Sequence, residues 1–302
     1  MPRRTHTAAR PVRSAGRHAP PARPRRALGQ NFLHDEEVLD RIIREGGFGP
    51  EETVLEVGGG TGQLTEPLAR AVGRVVSVEL DETLSGYLRR RMEPYPNTTV
   101  INANVLDFTP VEVLAEAGVA PPYVMAGNIP YYITAPILRR FLTTAQRPRR
   151  MVMMMQREVA ESLAAGPGDM TLLGVSVQVY GDPRVLFRVP RTAFKPAPKV
   201  DSAVLRVDVY PRPAITIDEE EFFKVVRAGF RRPRKQLHNA LGAGLWLPPG
   251  GASSLLDDAH IDPMRRAQTL CLGEWEALTR AYLALKTTFE GDDAERERTG
   301  ED

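Results

Sequence analysis

The sequence predicts an α/β fold, a largely parallel sheet covered by helices on both faces, with a small C-terminal helical domain after it. Three observations carry this. Helical and strand signals alternate from residue 35 to 155, a glycine-rich turn joins a strand to a helix early in that stretch, and from residue 219 onward the signals are helical. Such alternation builds βαβ units, whose parallel strands are buried on both faces.

In chain order, Asp35 caps a helix carrying Val38, Leu39, Ile42 and Ile43, which Gly46 and Gly47 end. An apolar strand follows at 53–57, then the glycine cluster and a helix with Leu64, Leu68 and Ala69. Residues 75–80 form a second strand, 82–92 a helix, 99–103 a third strand and 123–126 a fourth. Residues 136–142 are helical and 150–155 a fifth strand, whose methionines read as buried core and not as a cofactor box. Beyond residue 170, the stretches 172–180, 185–189 and 203–209 read as strands at the far side of the sheet, with a proline-rich loop at 190–198. Helices are expected at 221–228, 234–241, 263–269 and 274–285, with Cys271 in the core of the last ones. The domain boundaries follow: an Arg-rich arm at 1–27, the main domain at 28–212, the helical domain at 213–288 and an acidic tail at 289–302.

The chain has 302 residues, with 40 Lys and Arg against 38 Asp and Glu. The near balance hides segregation. Residues 1–26 hold eight arginines and no acid, and residues 290–302 hold seven acids and two arginines. Both ends read as disordered. A flexible arginine arm suits a polyanion such as RNA; a solvated extension with no fixed role explains the composition equally well. One cysteine excludes a disulfide framework and a cysteine zinc cluster, and the five histidines are scattered, so no metal is expected. No apolar run approaches the roughly 18 residues of a membrane span, and no secretory signal is visible. A soluble, cytoplasmic protein is expected.

Leu55-Glu56-Val57-Gly58-Gly59-Gly60-Thr61-Gly62 lies between a strand and a helix. Glycines there let a ligand approach the backbone, and the helix start offers free N–H groups. Glu79 lies 21 residues after Gly58, at the end of the second strand. A carboxylate in that place accepts from both ribose hydroxyls of a nucleoside. Taken singly, these features also fit a tight turn and a helix-capping acid; together in one βαβ unit they favour a nucleoside. The dinucleotide pattern G-x-G-x-x-G fails, because Gln63 holds its last place. Gly58-x-Gly60-x-Gly62 with Glu56 upstream instead resembles the S-adenosylmethionine-dependent methyltransferases. That resemblance implies a Rossmann-like class I methyltransferase sheet and S-adenosyl-L-methionine as cofactor.

The fourth strand runs into Gly127-Asn128-Ile129-Pro130-Tyr131-Tyr132. Ligands of open α/β sheets bind beyond the carboxyl ends of the strands, which puts Asn128 and Tyr131 beside the glycine turn. Pro130 biases Ile129 toward extended backbone and can so aim the Ile129 carbonyl into that space. A proline turn with an asparagine cap is the alternative. Asn128-Ile129-Pro130-Tyr131 is similar to the Asn-Ile/Leu-Pro-Tyr motif of the ribosomal RNA adenine N6-dimethyltransferases, and further matches run from Leu28 to Tyr282. Gly29-Gln30-Asn31-Phe32-Leu33 resembles the family's N-terminal cofactor motif, and residues 193–202 its substrate-side loop. Residues 156–161, 230–239 and 261–270 resemble the housekeeping small-subunit branch (KsgA type); the Arg-rich arm is also reminiscent of the large-subunit macrolide-resistance branch.

The resemblance implies cofactor contacts from Asn31, Leu33, Gly58, Gly60, Glu79 and Asn128. Where the family carries an Asp that accepts from the cofactor's adenine amine, this chain has Asn104, whose amide oxygen accepts without a charge. Asp107 is the alternative contact. The implied catalytic group is Asn128, Ile129, Pro130, Tyr131 and Phe194. The adenine N6 lone pair is delocalised, and the Asn128 oxygen and Ile129 carbonyl would localise it by accepting its hydrogens. Tyr131 and Phe194 would stack on either side of the base. Arg227, Arg231, Arg232, Arg234 and Lys235 form the expected RNA-binding set; Arg139, Arg140, Arg147, Arg149, Arg150 and Arg157 add a second basic group. The implied reaction is N6,N6-dimethylation of two adjacent adenines near the 3′ end of 16S rRNA, in the immature small ribosomal subunit, by a monomer. A 23S rRNA methyltransferase of the resistance type is one alternative, and a non-catalytic RNA-binding assembly or transcription factor is the other.

Overall fold

Apolar residues fill consecutive positions of the central strands, as burial on both faces of a sheet requires. The structure, a computed structural model, describes residues 31–299. Its strands are β1 (Phe32–Leu33), β2 (Thr53–Val57), β3 (Arg74–Glu79), β4 (Thr98–Asn102), β5 (Val124–Asn128), β6 (Arg150–Gln156), β7 (Gly181–Val189), β8 (Phe194–Lys195) and β9 (Ser202–Val209). Its helices are α1 (Glu36–Gly46), α2 (Thr65–Ala71), α3 (Glu82–Met92), α4 (Pro110–Glu116), α5 (Thr134–Leu142), α6 (Arg157–Leu163), α7 (Leu172–Gln178), α8 (Glu219–Phe230), α9 (Leu237–Gly244), α10 (Gly251–Asp258) and α11 (Leu272–Thr299). The Arg-rich arm lies outside the described residues.

Seven strands form one sheet in the order β4-β3-β2-β5-β6-β9-β7. The run from β4 to β6 is parallel, and β9 pairs antiparallel with β6 and β7. The chain winds outward from β2 to β4, then returns to lay β5 on the other side of β2. The carboxyl ends of β2 and β5 therefore flank the point where strand order reverses, where such sheets open a crevice. One apolar cluster joins Met155 and Val207 of the sheet to Phe222, Leu237, Leu255 and Trp275 of the C-terminal helices. It runs across the expected boundary near residue 212. A second cluster, on the opposite face, joins Val54 and Val152 to Leu39, Leu68 and Phe194.

Local signals place several elements as expected. The Asp35 side chain accepts from the Val38 N–H, and Gly47 ends α1 with φ 72°. Other expectations need correction. Residues 172–178 are helix α7, not strand; Thr171 caps it by accepting from the Gly174 N–H. Leu172, Val175 and Val179 fit a helical face while Val175, Val177 and Val179 fit strand alternation, and a short apolar run does not separate helix from strand. Residues 263–269 hold only a single 3-10 turn, Ala267–Thr269, while α10 went unforeseen. So did α4, although Thr109 and Glu112 form a capping box there, and α6. Helix α9 begins at Leu237, later than expected. Cys271 is exposed, not core. The acidic segment, expected to be disordered, continues α11 as helix to Thr299, consistent with its Ala, Glu and Arg content.

The glycine turn is held from beneath. Glu56, buried in β2, accepts at one carboxylate oxygen from Ser77 Oγ and Thr65 Oγ1, both at 2.6 Å. It so joins β2 to β3 and to the start of α2. Arg91 donates to the Thr61 carbonyl at 2.7 Å and to Glu66 at 2.8 Å, fixing the far side of the turn. Beside it, Gly127 of β5 pairs with Val57, and a Cβ on Gly127 would stand 2.5 Å from the Val57 carbonyl oxygen. Only glycine lets the two strands close at that point.

Two predictions follow from this packing. Gly127→Ala forces β2 and β5 apart and destabilises the fold by about 1–3 kcal/mol; an unchanged denaturant midpoint would contradict the contact. Burial pushes the Glu56 carboxyl up from 4.5 to about 7, against the Ser77 and Thr65 hydrogen bonds that lower it. A raised carboxyl stabilises the fold fully below its unfolded value and loses that contribution as pH rises through the folded one. The protein should therefore lose thermal stability between pH 4.5 and 7, and Glu56→Gln should lose less; equal slopes in the two proteins would rule this out.

Candidate active site

One cavity at the carboxyl ends of β2, β3 and β5 is lined by every cofactor and catalytic residue expected from the sequence. Asn31, Leu33, Gly58, Gly60, Glu79, Asn104, Asn128, Ile129, Pro130, Tyr131 and Phe194 all border it. The turn after β2 brings its backbone into the cavity because Gly58 and Gly60 adopt φ 77° and 55°, conformations that side chains disfavour. Glu79, at the end of β3, accepts from the Gly60 N–H at 2.8 Å and from the Asp81 N–H at 2.9 Å. A carboxylate has more acceptor sites than these two bonds use, so it can also accept from a ligand hydroxyl. Burial raises the Glu79 pKa, and the Asp81 and Gly60 N–H groups oppose this.

Asn128 closes β5. Its side-chain NH2 donates to the Asn31 carbonyl at 3.1 Å. A carbonyl can face only the NH2 half of an amide, so this bond fixes which way the Asn128 oxygen points. The Ile129 N–H donates to the Met154 carbonyl of β6 at 3.0 Å, which ties the motif to the sheet on its other side. The Tyr131 hydroxyl pairs with Ser202 Oγ at 2.9 Å; burial raises its pKa. β1 and β8 pair antiparallel, Leu33 opposite Phe194, and form a small flap of backbone over one side of the cavity.

One expected role looks different in the fold. Phe194 lines the cavity but is only 3% exposed, so its ring backs the wall and offers no open face for stacking. Tyr132, unnoticed in the sequence, borders the cavity and is 59% exposed. Thr61 also went unnoticed. Its hydroxyl is buried, faces no hydrogen-bond partner among the described residues, and belongs to a residue lining the cavity. An unsatisfied buried hydroxyl beside a glycine turn fits a polar ligand group. Its only sequence signal was its place between Gly60 and Gly62. Among the described residues no cluster of His, Cys, Asp and Glu could hold a metal ion, and no helix is long and apolar enough to cross a membrane.

The basic groups divide. Arg227, Arg231, Arg232, Arg234 and Lys235 are exposed around the end of α8 and the turn into α9. Arg227 borders a second cleft, between α5, α7 and α8, together with Arg139 and Arg140. The other basic group is partly spent on the fold itself. Arg150 pairs with Glu52 at 2.7 Å and donates to the Gly46 and Gly47 carbonyls. Arg140 donates to the Leu106 carbonyl and Arg147 to the Leu142 carbonyl.

Comparison with known proteins agrees with this arrangement. Residues 22–278 match the family described as Ribosomal RNA adenine dimethylase. A Dehalococcoides mccartyi protein named Ribosomal RNA small subunit methyltransferase A is 44% identical over 262 residues, 86% of this chain and 89% of that one. The protein of the same name from Pelotomaculum thermopropionicum is 41% identical over 271 residues, 86% of this chain and 92% of its own. Among solved structures, the 23S rRNA methyltransferase ErmE has a TM-score of 0.66 at 28% identity, covering 83% of this chain and 99% of that one. A dimethyladenosine transferase from Plasmodium falciparum has a TM-score of 0.70 at 24% identity, over 82% and 95% of the two chains, a likeness of fold. The match spans the glycine turn, the Asn128 motif and the C-terminal helices alike, and by it this chain belongs to the ribosomal RNA adenine dimethylase family.

Proposed function

We propose that this protein transfers methyl groups from S-adenosyl-L-methionine to the N6 atoms of two adjacent adenines near the 3′ end of 16S rRNA, in the immature small ribosomal subunit, and acts as a monomer. The observation that carries the reading is Asn128, its amide oriented by the Asn31 carbonyl and placed in one cavity with Glu79 and the glycine turn. Preference for the small subunit rests on relatives of that name at 41–44% identity. The large-subunit reading rests on a structure at 28% identity.

The cavity residues fit the cofactor. Glu79 keeps acceptor capacity for two ribose hydroxyls, Leu80 offers apolar contact to a purine, and Thr61 supplies an unsatisfied hydroxyl. Asn31, Leu33, Gly58, Gly60, Asn104 and Asn128 would complete the binding surface. When bound, S-adenosylmethionine supplies an electrophilic methyl group on a sulfonium.

The chain's own part is positioning. The Asn128 oxygen and the Ile129 carbonyl would accept from the two N6 hydrogens of a flipped-out adenine. This draws the nitrogen toward a tetrahedral shape and exposes its lone pair in line with the methyl. Pro130 keeps the Ile129 peptide extended. Tyr131 would stack on the base, for about 1–3 kcal/mol, with Tyr132 as the exposed aromatic of the rim and Phe194 as the wall behind. No strong base is required, because the N-methylated product is acidic and releases its proton readily. Holding the two reactants at contact distance accounts for most of the acceleration. The arginines around the start of α9 would hold the RNA backbone.

Three outcomes test this. Labelled cofactor should yield N6,N6-dimethyladenosine in immature small subunits and none in naked 23S rRNA; the opposite pattern would move the protein to the large subunit, and no label in either would remove the enzymatic reading. Asn128→Ala should lower kcat about 100-fold, the scale of losing a preorganised hydrogen-bonding group, with cofactor affinity changed far less; normal turnover would refute the role. Replacing Arg231 and Arg232 with alanine should reduce the slope of log binding constant against log salt by about 1.5, and an unchanged slope would place the RNA elsewhere.

A further inference from the structure

The loop after β4 is tied at four points. The Asn104 carbonyl accepts from the Asp107 N–H at 3.0 Å. The Asn104 side-chain oxygen accepts from the Leu106 N–H at 3.2 Å, and its NH2 donates to Asp107 Oδ1 at 3.0 Å. The Leu106 carbonyl in turn accepts from Arg140 of α5. A peptide N–H must face the oxygen of an amide, and a carboxylate must face its NH2. Two neighbours thus agree on one orientation of a group that is otherwise free to sit either way round. Asn104 borders the cavity beside Glu79 and Leu80, whereas Asp107 is exposed and lies outside the lining.

We infer that Asp107 is a positioning residue that locks Asn104 as a hydrogen-bond acceptor, and that the lock selects a 6-amino purine nucleoside over a 6-oxo one. The inference rests on the reading of the cavity as a nucleoside-cofactor site. An aspartate at 104 would be an acceptor in either orientation and would need no lock. An asparagine can turn its NH2 to the ligand and so welcome a 6-oxo group. With Asp107 holding the NH2, the remaining lone pair of the oxygen is left for the exocyclic amine, and a 6-oxo purine meets oxygen with oxygen. Selection by a fixed polar partner is stronger than selection by shape alone.

The test is calorimetric titration with S-adenosylhomocysteine and S-inosylhomocysteine, which differ only at C6 of the purine. The native protein should prefer the adenosyl compound at least about tenfold. In Asp107→Ala that ratio should fall about threefold to tenfold, the range of one hydrogen bond. Asp107→Asn retains an acceptor oxygen and should keep the native ratio. In the double variant Asn104→Asp with Asp107→Ala the ratio should return, because a carboxylate cannot donate. A purely structural role for Asp107 would weaken both compounds alike. An Asp107→Ala ratio within about twofold of native, or a double variant that stays unselective, overturns the inference while leaving the cofactor site intact. Binding of neither compound to the native protein overturns the cofactor reading and this inference with it.

Discussion

The parallel contact between β2 and β5 governs the site. Gly127 packs against the Val57 carbonyl with no space for a side chain, and the two strands end level with each other. One chain segment leaves β2 into the glycine turn and the other leaves β5 into Asn128. The Asn128 carbonyl oxygen lies 3.7 Å from where a Gly58 Cβ would be. The glycine turn and the Asn128 motif, 70 residues apart in the chain, thereby share one rim.

A site that works by placement needs a stiff floor, and the hydrogen bonds beneath the turn supply it. Glu56 holds Ser77 and Thr65 below, Glu79 holds Gly60 from the side, and Arg91 holds Thr61 from outside. Burying a carboxylate such as Glu56 is costly unless donors surround it, and both hydroxyl donors point at the same oxygen. The cost is repaid in a turn whose backbone cannot drift. Among the described residues, the cavity lining holds backbone, amide, carboxylate and aromatic groups that act by placement.

The RNA side follows a different logic. Charge counted along the chain overstates what is available to a polyanion, because arginines are also the residues best able to satisfy buried carbonyls and carboxylates. Arg150 and Arg147 show this, Arg150 donating to the Gly46 and Gly47 carbonyls and Arg147 to the Leu142 carbonyl at the end of α5. The arginines where α8 gives way to α9 face solvent, as do Arg139 and Arg149 of the other group. The former sit on a helical unit that shares an apolar cluster with the sheet, so their position is fixed relative to the cavity.

Much of this was legible in the residues. The alternation of apolar strands with capped helices, the glycine spacing, Glu79 at a strand end and the Asn-Ile-Pro-Tyr run are local patterns, set by backbone sterics and short-range hydrogen bonding. What escaped is what local patterns do not encode. The two-residue strands β1 and β8 are too short to show a period, yet their pairing brings Leu33 and Phe194 to the cavity. The Asn128 bond to Asn31 spans 97 positions. Helix α7 looked like a strand because its apolar run fits either geometry until packing chooses. Sequence alone determined the fold class, the glycine turn after β2 and the Asn-Ile-Pro-Tyr run that closes β5, since each is written in neighbouring residues. Only the tertiary structure decided which aromatic faces outward, which arginines remain free and how Asn104 is oriented, because those depend on partners that chain closure brings together from far apart.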